Sequence, residues 1–390
     1  MRVAVPILVF CAASLLGLGV VMLYSSTMTQ NGLHLLVMQL LWGGLGLVGA
    51  VTLAAMDYRW LKRVWWLFLV AAIALLVAVL VPHVGVVRGG AQRWFRVGGL
   101  SFQPSEFAKL ALLIFLAWYG ERYQRKLPGF WRGLVVPGLA VAVVVGLIFK
   151  EPDVGNALVV AAVSGTMLLL AGARLRYLLP LAFLAVAAVG WYIEHNPVRS
   201  DRFYSWKHLE ETRHDTGLQA YLAKVALGSG GTLGRGLGDS REKLGYLPQH
   251  HGDFIFAIIG EELGFRATVL ILAAFVLMLL CGLYIGWRAA DPFGLLLATG
   301  LSSLIALQAL VNIGVVTSAL PNKGIPLPFI SHGGSNLLLM LLSVGLLVSI
   351  ARRARPSAQE AMPEDLEDFQ DENPFRARPG ADAGGVPACP

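Results

Sequence analysis

The chain has 390 residues, of which 56% are hydrophobic and only 14% are charged. Charged residues make up about a quarter of a soluble globular domain, so this composition excludes an ordinary soluble protein and indicates a membrane environment. The formal net charge of +7 comes from basic residues scattered among short polar segments. Membrane orientation explains this pattern better than nucleic acid binding does.

Ten apolar segments follow one another along the chain, each about long enough to cross a bilayer as a helix. The predicted helices cover residues 4–24, 34–56, 64–82, 104–119, 133–149, 154–172, 175–193, 254–286, 293–319 and 335–351. The first segment is followed by another span and not by a cleavage site, so it is predicted to be a retained helix. The sequence therefore predicts an all-α polytopic membrane protein.

Basic residues mark alternate connections between these helices and predict their orientation. They are Arg59, Lys62 and Arg63; Arg122, Arg125, Lys126 and Arg132; Arg174 and Arg176; Arg288; and Arg352, Arg353 and Arg355. These connections and both termini are therefore predicted to be cytoplasmic.

The opposite side also carries basic residues, in the connection after the third helix and in the long segment 194–253 between the seventh and eighth helices. An anionic ligand would explain them. The segment 194–253 has amphipathic stretches but no spanning run, so it is predicted to form short helices along the extracytoplasmic surface. Residues 1–355 thus form the membrane domain, and the acidic, proline-containing residues 356–390 are predicted to be a disordered cytoplasmic tail.

The motif GYLPQHHGDFIFAIIGEELG places Asp253 directly before the eighth helix. A carboxylate at the mouth of a helix bundle can act as a general base. Asp is also a good N-cap residue. The residue type alone leaves both interpretations open.

Ionisable residues also occur at the start of two spans. Glu106 and Lys109 are three residues apart, so they share a helix face and can pair. Asp153, in KEPDVGNALVV, can complete a charged cluster with them or cap the sixth helix. Charged groups in a membrane helix are costly, which indicates a functional role or a structural ion pair between helices.

The segment LPNKGIPLPFISHGG, between the last two helices, contains Lys323 and several prolines and glycines. Such a composition excludes a continuous helix and predicts a shaped outer loop or re-entrant element. Backbone donors near Gly333 and Gly334 could hold phosphate oxygens beside Lys323. A rigid turn is the alternative.

Together, and in this order, these motifs closely resemble the SEDS family (shape, elongation, division and sporulation) over about residues 15–350. The resemblance implies a ten-helix peptidoglycan glycosyltransferase of the bacterial plasma (inner) membrane, which polymerises lipid II on the extracytoplasmic side. It also implies a class B penicillin-binding protein as the crosslinking partner. The motif LPNKGIPLPFIS is more similar to the division member of the family than to the elongation member.

The resemblance further implies that Asp253 is the catalytic base and that Glu106, Lys109 and Asp153 form a buried ion cluster. A pyrophosphate leaving group needs preorganised donors. The predicted substrate- and pyrophosphate-binding residues are Arg88, Arg93, Arg96, Lys109, Lys323, Ser331, Gly333 and Gly334. A divalent cation, Mg²⁺ or Mn²⁺, is left open, and no metal ligands are predicted.

Three alternatives to a division polymerase remain: a lipid II flippase, an elongation polymerase, and a noncatalytic division scaffold. The expected ligands are lipid II and the undecaprenyl-pyrophosphate-linked glycan. Other division proteins and membrane lipid are expected partners besides the penicillin-binding protein, and nucleic acid is not.

Overall fold

The computed structural model describes residues 1–27, 33–88, 91–97, 100–240 and 252–354. The predicted tail, residues 356–390, lies outside the described residues, as do residues 241–251 of the long outer segment. Of Arg88 and Val97, the structure describes the backbone only.

Twelve α-helices lie in the described part of the chain. They are α1 Ala4–Thr27, α2 His34–Ala55, α3 Leu61–Leu80, α4 Pro104–Tyr123, α5 Val136–Lys150, α6 Val154–Ala171, α7 Leu175–Glu194, α8 Pro197–Lys207, α9 Leu218–Ser229, α10 Ile255–Trp287, α11 Pro292–Val316 and α12 Gly334–Arg352. Each of the ten predicted spans is present with ends shifted by a few residues. Helices α8 and α9 are the short helices predicted between the seventh and eighth spans.

Helix α4 is the most polar of the ten spans. The other nine are long and apolar enough to cross a membrane, among the residues that the structure describes. Helix α4 has 20 residues, which is about 30 Å of helix and enough to span the hydrocarbon core. It packs against α3, α5, α6, α11 and α12, and most of its residues are buried. Because protein surrounds α4, it can carry ionisable groups that lipid would not accommodate.

A small antiparallel sheet connects α3 to α4. Its strands are β1 Val86–Arg88, β2 Ala91–Val97 and β3 Leu100–Phe102, in the spatial order β1-β2-β3. No strand was predicted from the sequence here, so the sheet is an addition to the predicted all-α fold. Arg93 and Arg96 are three residues apart on β2 and therefore project to opposite faces of the sheet.

Helix α10 is broken at Gly264, where the prediction had one continuous helix. Gly264 has φ 78° and ψ −175°, outside the helical region. The backbone N–H groups of Arg235 and Gly236 donate to the carbonyls of Glu261 and Glu262 at 3.0 Å each. On the other side of the break, the N–H of Phe265 donates to the carbonyl of Gly231 at 2.9 Å. The segment 230–236 thus satisfies backbone groups that the break would leave unpaired.

Replacing Gly264 by alanine should destabilise the protein. The φ/ψ region of Gly264 is accessible essentially only to glycine and costs other residues about 1–3 kcal/mol. A Cβ there would also collide with the backbone of Leu233 and Gly234. Thermal unfolding in detergent should show a lowered midpoint. Gly165→Ala in α6 is the control, because a Cβ at Gly165 meets no atom within 4 Å. Equal midpoints for the two variants would contradict the prediction.

An ion network closes the end of the bundle that carries the α2–α3 and α10–α11 connections. Lys62 Nζ lies 2.8 Å from both Glu121 and Asp291 carboxylate oxygens. The Tyr58 hydroxyl donates to Asp291 at 2.9 Å, and Arg353, after α12, pairs with Asp57 at 3.4 Å. Lys62 and Arg353, two of the basic residues from which the orientation was predicted, therefore lie at the same end of the bundle.

Candidate active site

Asp253 lies at the other end of the bundle, where α11 and the loop after it hold the segment before α10. Asn312 of α11 donates from Nδ2 to the carbonyl of Asp253 at 2.8 Å and to that of Ile325 at 2.7 Å. The Ser331 hydroxyl donates to the carbonyl of Gly252 at 2.8 Å. The Asp253 carboxylate lies against Gly324, where a Cβ would collide with it. The loop 317–333 and α11 therefore position the segment before α10.

The structure does not place Asp253 at the N-cap of α10. The N-cap of α10 is Phe254, with no side-chain capping hydrogen bond in the described part of the chain. Asp253 is half-buried. The pKa of Asp253 is raised to about 6, mainly by burial and to a smaller extent by the Asp153 carboxylate, whereas Arg93 acts to lower this pKa. A carboxylate with this pKa is mostly ionised at pH 7 but more basic than an exposed aspartate, which suits a general base.

Asp153 combines the two roles that the sequence left open. Its Oδ1 accepts the backbone N–H of Asn156 at 3.2 Å, which caps α6. Its Oδ2 accepts from Gln103 Nε2 at 3.1 Å and from Asn156 Nδ2 at 2.9 Å, and lies 3.4 Å from Arg93 Nη1. Asp153 thereby connects α6 to β2 and to the residue before α4.

Glu106 and Lys109 form an ion pair at 2.8 Å, and each side chain is 1% exposed. Lys109 Nζ also donates to Asn156 Oδ1 at 3.0 Å and to Gln308 Oε1 at 3.2 Å. Asn336 Nδ2 donates to the second carboxylate oxygen of Glu106 at 3.0 Å. The network connects α4, α6, α11 and α12 in the centre of the bundle.

Two predicted phosphate ligands also have protein partners. Lys109 Nζ lies 2.8 Å from the Glu106 carboxylate and donates to Asn156 and Gln308. The buried Ser331 hydroxyl donates to the carbonyl of Gly252 and accepts from the N–H of Leu327 at 2.8 Å. Both residues hold the protein together around Asp253, and their predicted role in binding pyrophosphate stays a prediction.

The glycines before α12 lie against α2. The N–H of Gly333 donates to Gln39 Oε1 at 3.4 Å, and Gly334 packs against the indole ring of Trp42. Their predicted role in holding phosphate oxygens stays a prediction. Of the three predicted arginines, Arg93 reaches the site through Asp153, whereas Arg96 is exposed on the other face of β2.

Lys323 and two arginines of α8 add positive charge near Asp253. The Lys323 side chain packs on Gly155 at the start of α6. Its Cδ lies 3.7 Å from the position that a Cβ of residue 155 would occupy. Burial, followed by the nearby Arg199, lowers the pKa of Lys323. Arg199 Nη2 donates to the carbonyl of Pro152 at 3.2 Å. Burial, then Arg199 and Arg93, lower the pKa of Arg202.

Arg199 and Arg202 were not predicted as site residues from the sequence. The sequence signal that could have identified them is the surplus of basic residues in the segment 194–253. Arg199 and Arg202 are three residues apart, which puts both on one face of α8. Only the fold shows that this face meets the connection between α5 and α6.

The described residues contain no cluster of metal-binding side chains. No group of three His, Cys, Asp or Glu side chains suited to a metal occurs among them. Both carboxylate oxygens of Asp153 are already engaged by protein donors. Because Mg²⁺ is often held by one or two carboxylates together with substrate phosphates, a divalent cation stays a prediction.

The fold and the site define a multi-pass membrane protein with a carboxylate and several cations gathered at one end of its helical bundle. Residues 6–356 match the family model FtsW/RodA/SpoVE, described as "Cell cycle protein". The chain belongs to this family, in agreement with the resemblance that its motifs predicted.

Similar proteins cover nearly the whole chain. Stage V sporulation protein E of Bacillus subtilis is 39% identical over 357 residues, which are 90% of this chain and 97% of that protein. A probable peptidoglycan glycosyltransferase FtsW of Trichlorobacter lovleyi is 37% identical over 351 residues, or 88% and 92% of the two chains. A solved peptidoglycan synthase complex contains a chain with a TM-score of 0.74 and 30% identity, covering 88% of this chain and 96% of that one.

Proposed function

We propose that this protein is a peptidoglycan glycosyltransferase that polymerises lipid II for the septal cell wall during division. The observation that carries the proposal is the position of Asp253: α11 and the loop 317–333 hold this carboxylate at one end of a membrane bundle, beside a group of cations. Relatives named "Probable peptidoglycan glycosyltransferase FtsW", which match over more than nine tenths of their own length, support the same activity.

The reaction joins two lipid-linked sugars. The 4-hydroxyl of the acceptor GlcNAc attacks the anomeric carbon of the donor MurNAc, and the bond from that carbon to the pyrophosphate breaks. Asp253 takes the hydroxyl proton during the attack. Attack from the face opposite the leaving group inverts the configuration and gives a β-1,4 bond.

The leaving undecaprenyl pyrophosphate is anionic and needs positive charge. The four cations Arg93, Lys323, Arg199 and Arg202 outnumber the two carboxylates, Asp153 and Asp253. Arg93 interacts with both carboxylates and Lys323 interacts with Asp153, while Arg199 and Arg202 lie beside these two cations. This surplus of positive charge suits a diphosphate. Asp153 holds Arg93 and thus keeps one cation in place without neutralising the others.

The proposed orientation places this site outside the cell. The basic connections and both termini would be cytoplasmic, in the bacterial plasma membrane. The polyprenyl chains of both substrates then stay in the bilayer while their sugars reach Asp253 at the membrane surface. The class B penicillin-binding protein is the proposed partner, and the similarity to a chain of a peptidoglycan synthase complex supports it.

The test uses the purified full-length protein with a class B penicillin-binding protein whose transpeptidase is inactivated. With lipid II, we expect glycan strands that a gel resolves and a muramidase degrades. Vesicles containing the same protein and fluorescent lipid II report transport across the bilayer. Transport without any polymer would contradict the proposal and favour a flippase.

Replacing Lys323 by methionine should reduce the polymerisation rate by about 100-fold. Loss of one preorganised donor to a developing anion costs about 3 kcal/mol of barrier in other enzymes. Lys323→Arg keeps the charge and should retain more activity. Lys224→Met is the matched control, because Lys224 is exposed on α9. Equal rates for Lys323→Met and Lys224→Met would remove Lys323 from the proposed site.

A further inference from the structure

Glu151, between α5 and α6, is an unpaired carboxyl group inside the protein. Its side chain is 0% exposed, and neither carboxyl oxygen has a hydrogen-bond partner among the described residues. An ionised carboxylate in such a place would be very costly. Buried polar groups without partners are rare enough that each one requires an explanation.

The charge state of Glu151 follows from its surroundings. Burial, and then the neighbouring Asp153, raise the pKa of Glu151 to about 8, and Arg93 opposes this effect. At pH 7 the neutral form therefore outnumbers the ionised form by about ten to one. The neutral form is lost as the pH rises through 8.

Glu151 belongs to a three-residue connection whose other two residues, Pro152 and Asp153, contact the site. The carbonyl of Pro152 accepts from Arg199, and Asp153 pairs with Arg93 at 3.4 Å. Arg93 also has a buried Nε with no partner in the described part of the chain. Arg93 thus has one carboxylate partner, Asp153, and an unused donor with a second carboxyl group, Glu151, nearby.

We propose that Glu151 is a positioning residue that must stay neutral for Arg93 to remain paired with Asp153 and available to the leaving group. This inference rests on the proposed polymerase function. The charged groups that act on Glu151 are Asp153, at the N-cap of α6, and Arg93 on β2. Arg199 of α8 binds the carbonyl of the next residue, Pro152, whereas Lys150 at the end of α5 is exposed. An ionised Glu151 repels Asp153 and attracts Arg93. It would therefore weaken the pair and neutralise a cation that the pyrophosphate needs.

The experiment measures kcat/KM for lipid II polymerisation from pH 6.5 to 9.5 in the complex with the penicillin-binding protein. The wild type should lose activity above about pH 8, approaching a tenfold loss per pH unit. Glu151→Gln is permanently neutral, so it should keep its pH 7 rate within about threefold of the wild type and lose the alkaline decline. Glu210→Gln, at an exposed position, is the control and should follow the wild type.

Two results would overturn the inference. One is an unchanged alkaline decline in Glu151→Gln, and the other is loss of activity at every pH in a Glu151→Gln protein that is still folded. If Glu151→Gln does not fold, Glu151→Met replaces it with the same expectation. If neither folds, a wild-type rate that stays constant to pH 9.5 overturns the inference and a decline near pH 8 supports it.

Asp253→Asn in the same assay separates the inference about Glu151 from the proposed polymerase function. Full activity of Asp253→Asn would refute the proposed function itself.

Discussion

Asp253→Asn should lower the rate of lipid II polymerisation by at least about 100-fold. An amide of nearly the same shape cannot accept the hydroxyl proton, and general base catalysis contributes about 10²–10⁴-fold. The backbone contacts of Asp253 with Asn312 and the packing against Gly324 do not depend on the carboxylate charge. The variant should therefore fold and assemble with its partner, and the loss should appear in kcat.

The pH dependence of the wild type gives a second measurement. Asp253 acts as a base only when ionised, and burial together with Asp153 raises its pKa to about 6. The rate should therefore fall as the pH decreases through 6. Asp215→Asn, at an exposed carboxylate between α8 and α9, is the matched control. A rate for Asp253→Asn above about a tenth of the wild type would show that another group is the base.

Lys109→Met should lower the free energy of unfolding by about 3–5 kcal/mol, because it leaves the Glu106 carboxylate buried without its partner charge. Asn156 and Gln308 would each lose a donor as well. The double variant Glu106→Gln, Lys109→Met removes both charges and should recover part of this loss. Thermal unfolding of the purified protein in detergent measures the three stabilities.

The exposed Lys224→Met is again the control and should unfold like the wild type. A Lys109→Met protein with wild-type stability would show that the buried network does not hold the four helices together. A double variant that is less stable than Lys109→Met alone would show that the unpaired charge is not the cause of the loss.

The spans could be predicted because a bilayer requires apolar segments of a certain length to form helices. The small sheet could not, since β1 and β3 have three residues each, too few for a period of two to be recognised. The break in α10 was also missed. Gly264 lies in an apolar run, and a glycine there is compatible with a continuous helix. The hydrogen bonds from segment 230–236 show that the helix ends and starts again.

The site was predicted only in part, because spacing shows what residues can do but not which partners they have. Glu106 and Lys109 were correctly placed on one face, but their spacing does not show that Asn156, Gln308 and Asn336 complete their hydrogen bonds. These three polar side chains lie inside apolar helices, where an amide group usually binds another helix. This signal could have predicted from the sequence that amide groups of other helices bind Glu106 and Lys109.

The break at Gly264 divides α10 into a short part next to Asp253 and a longer membrane part. The nine residues Ile255–Leu263 begin two residues after Asp253, and the carbonyls of Glu261 and Glu262 accept hydrogen bonds from the segment 230–236 instead of from the next helical turn. A displacement of the segment 230–236 would therefore reach Asp253 through the short part of α10, while the longer part stayed in place.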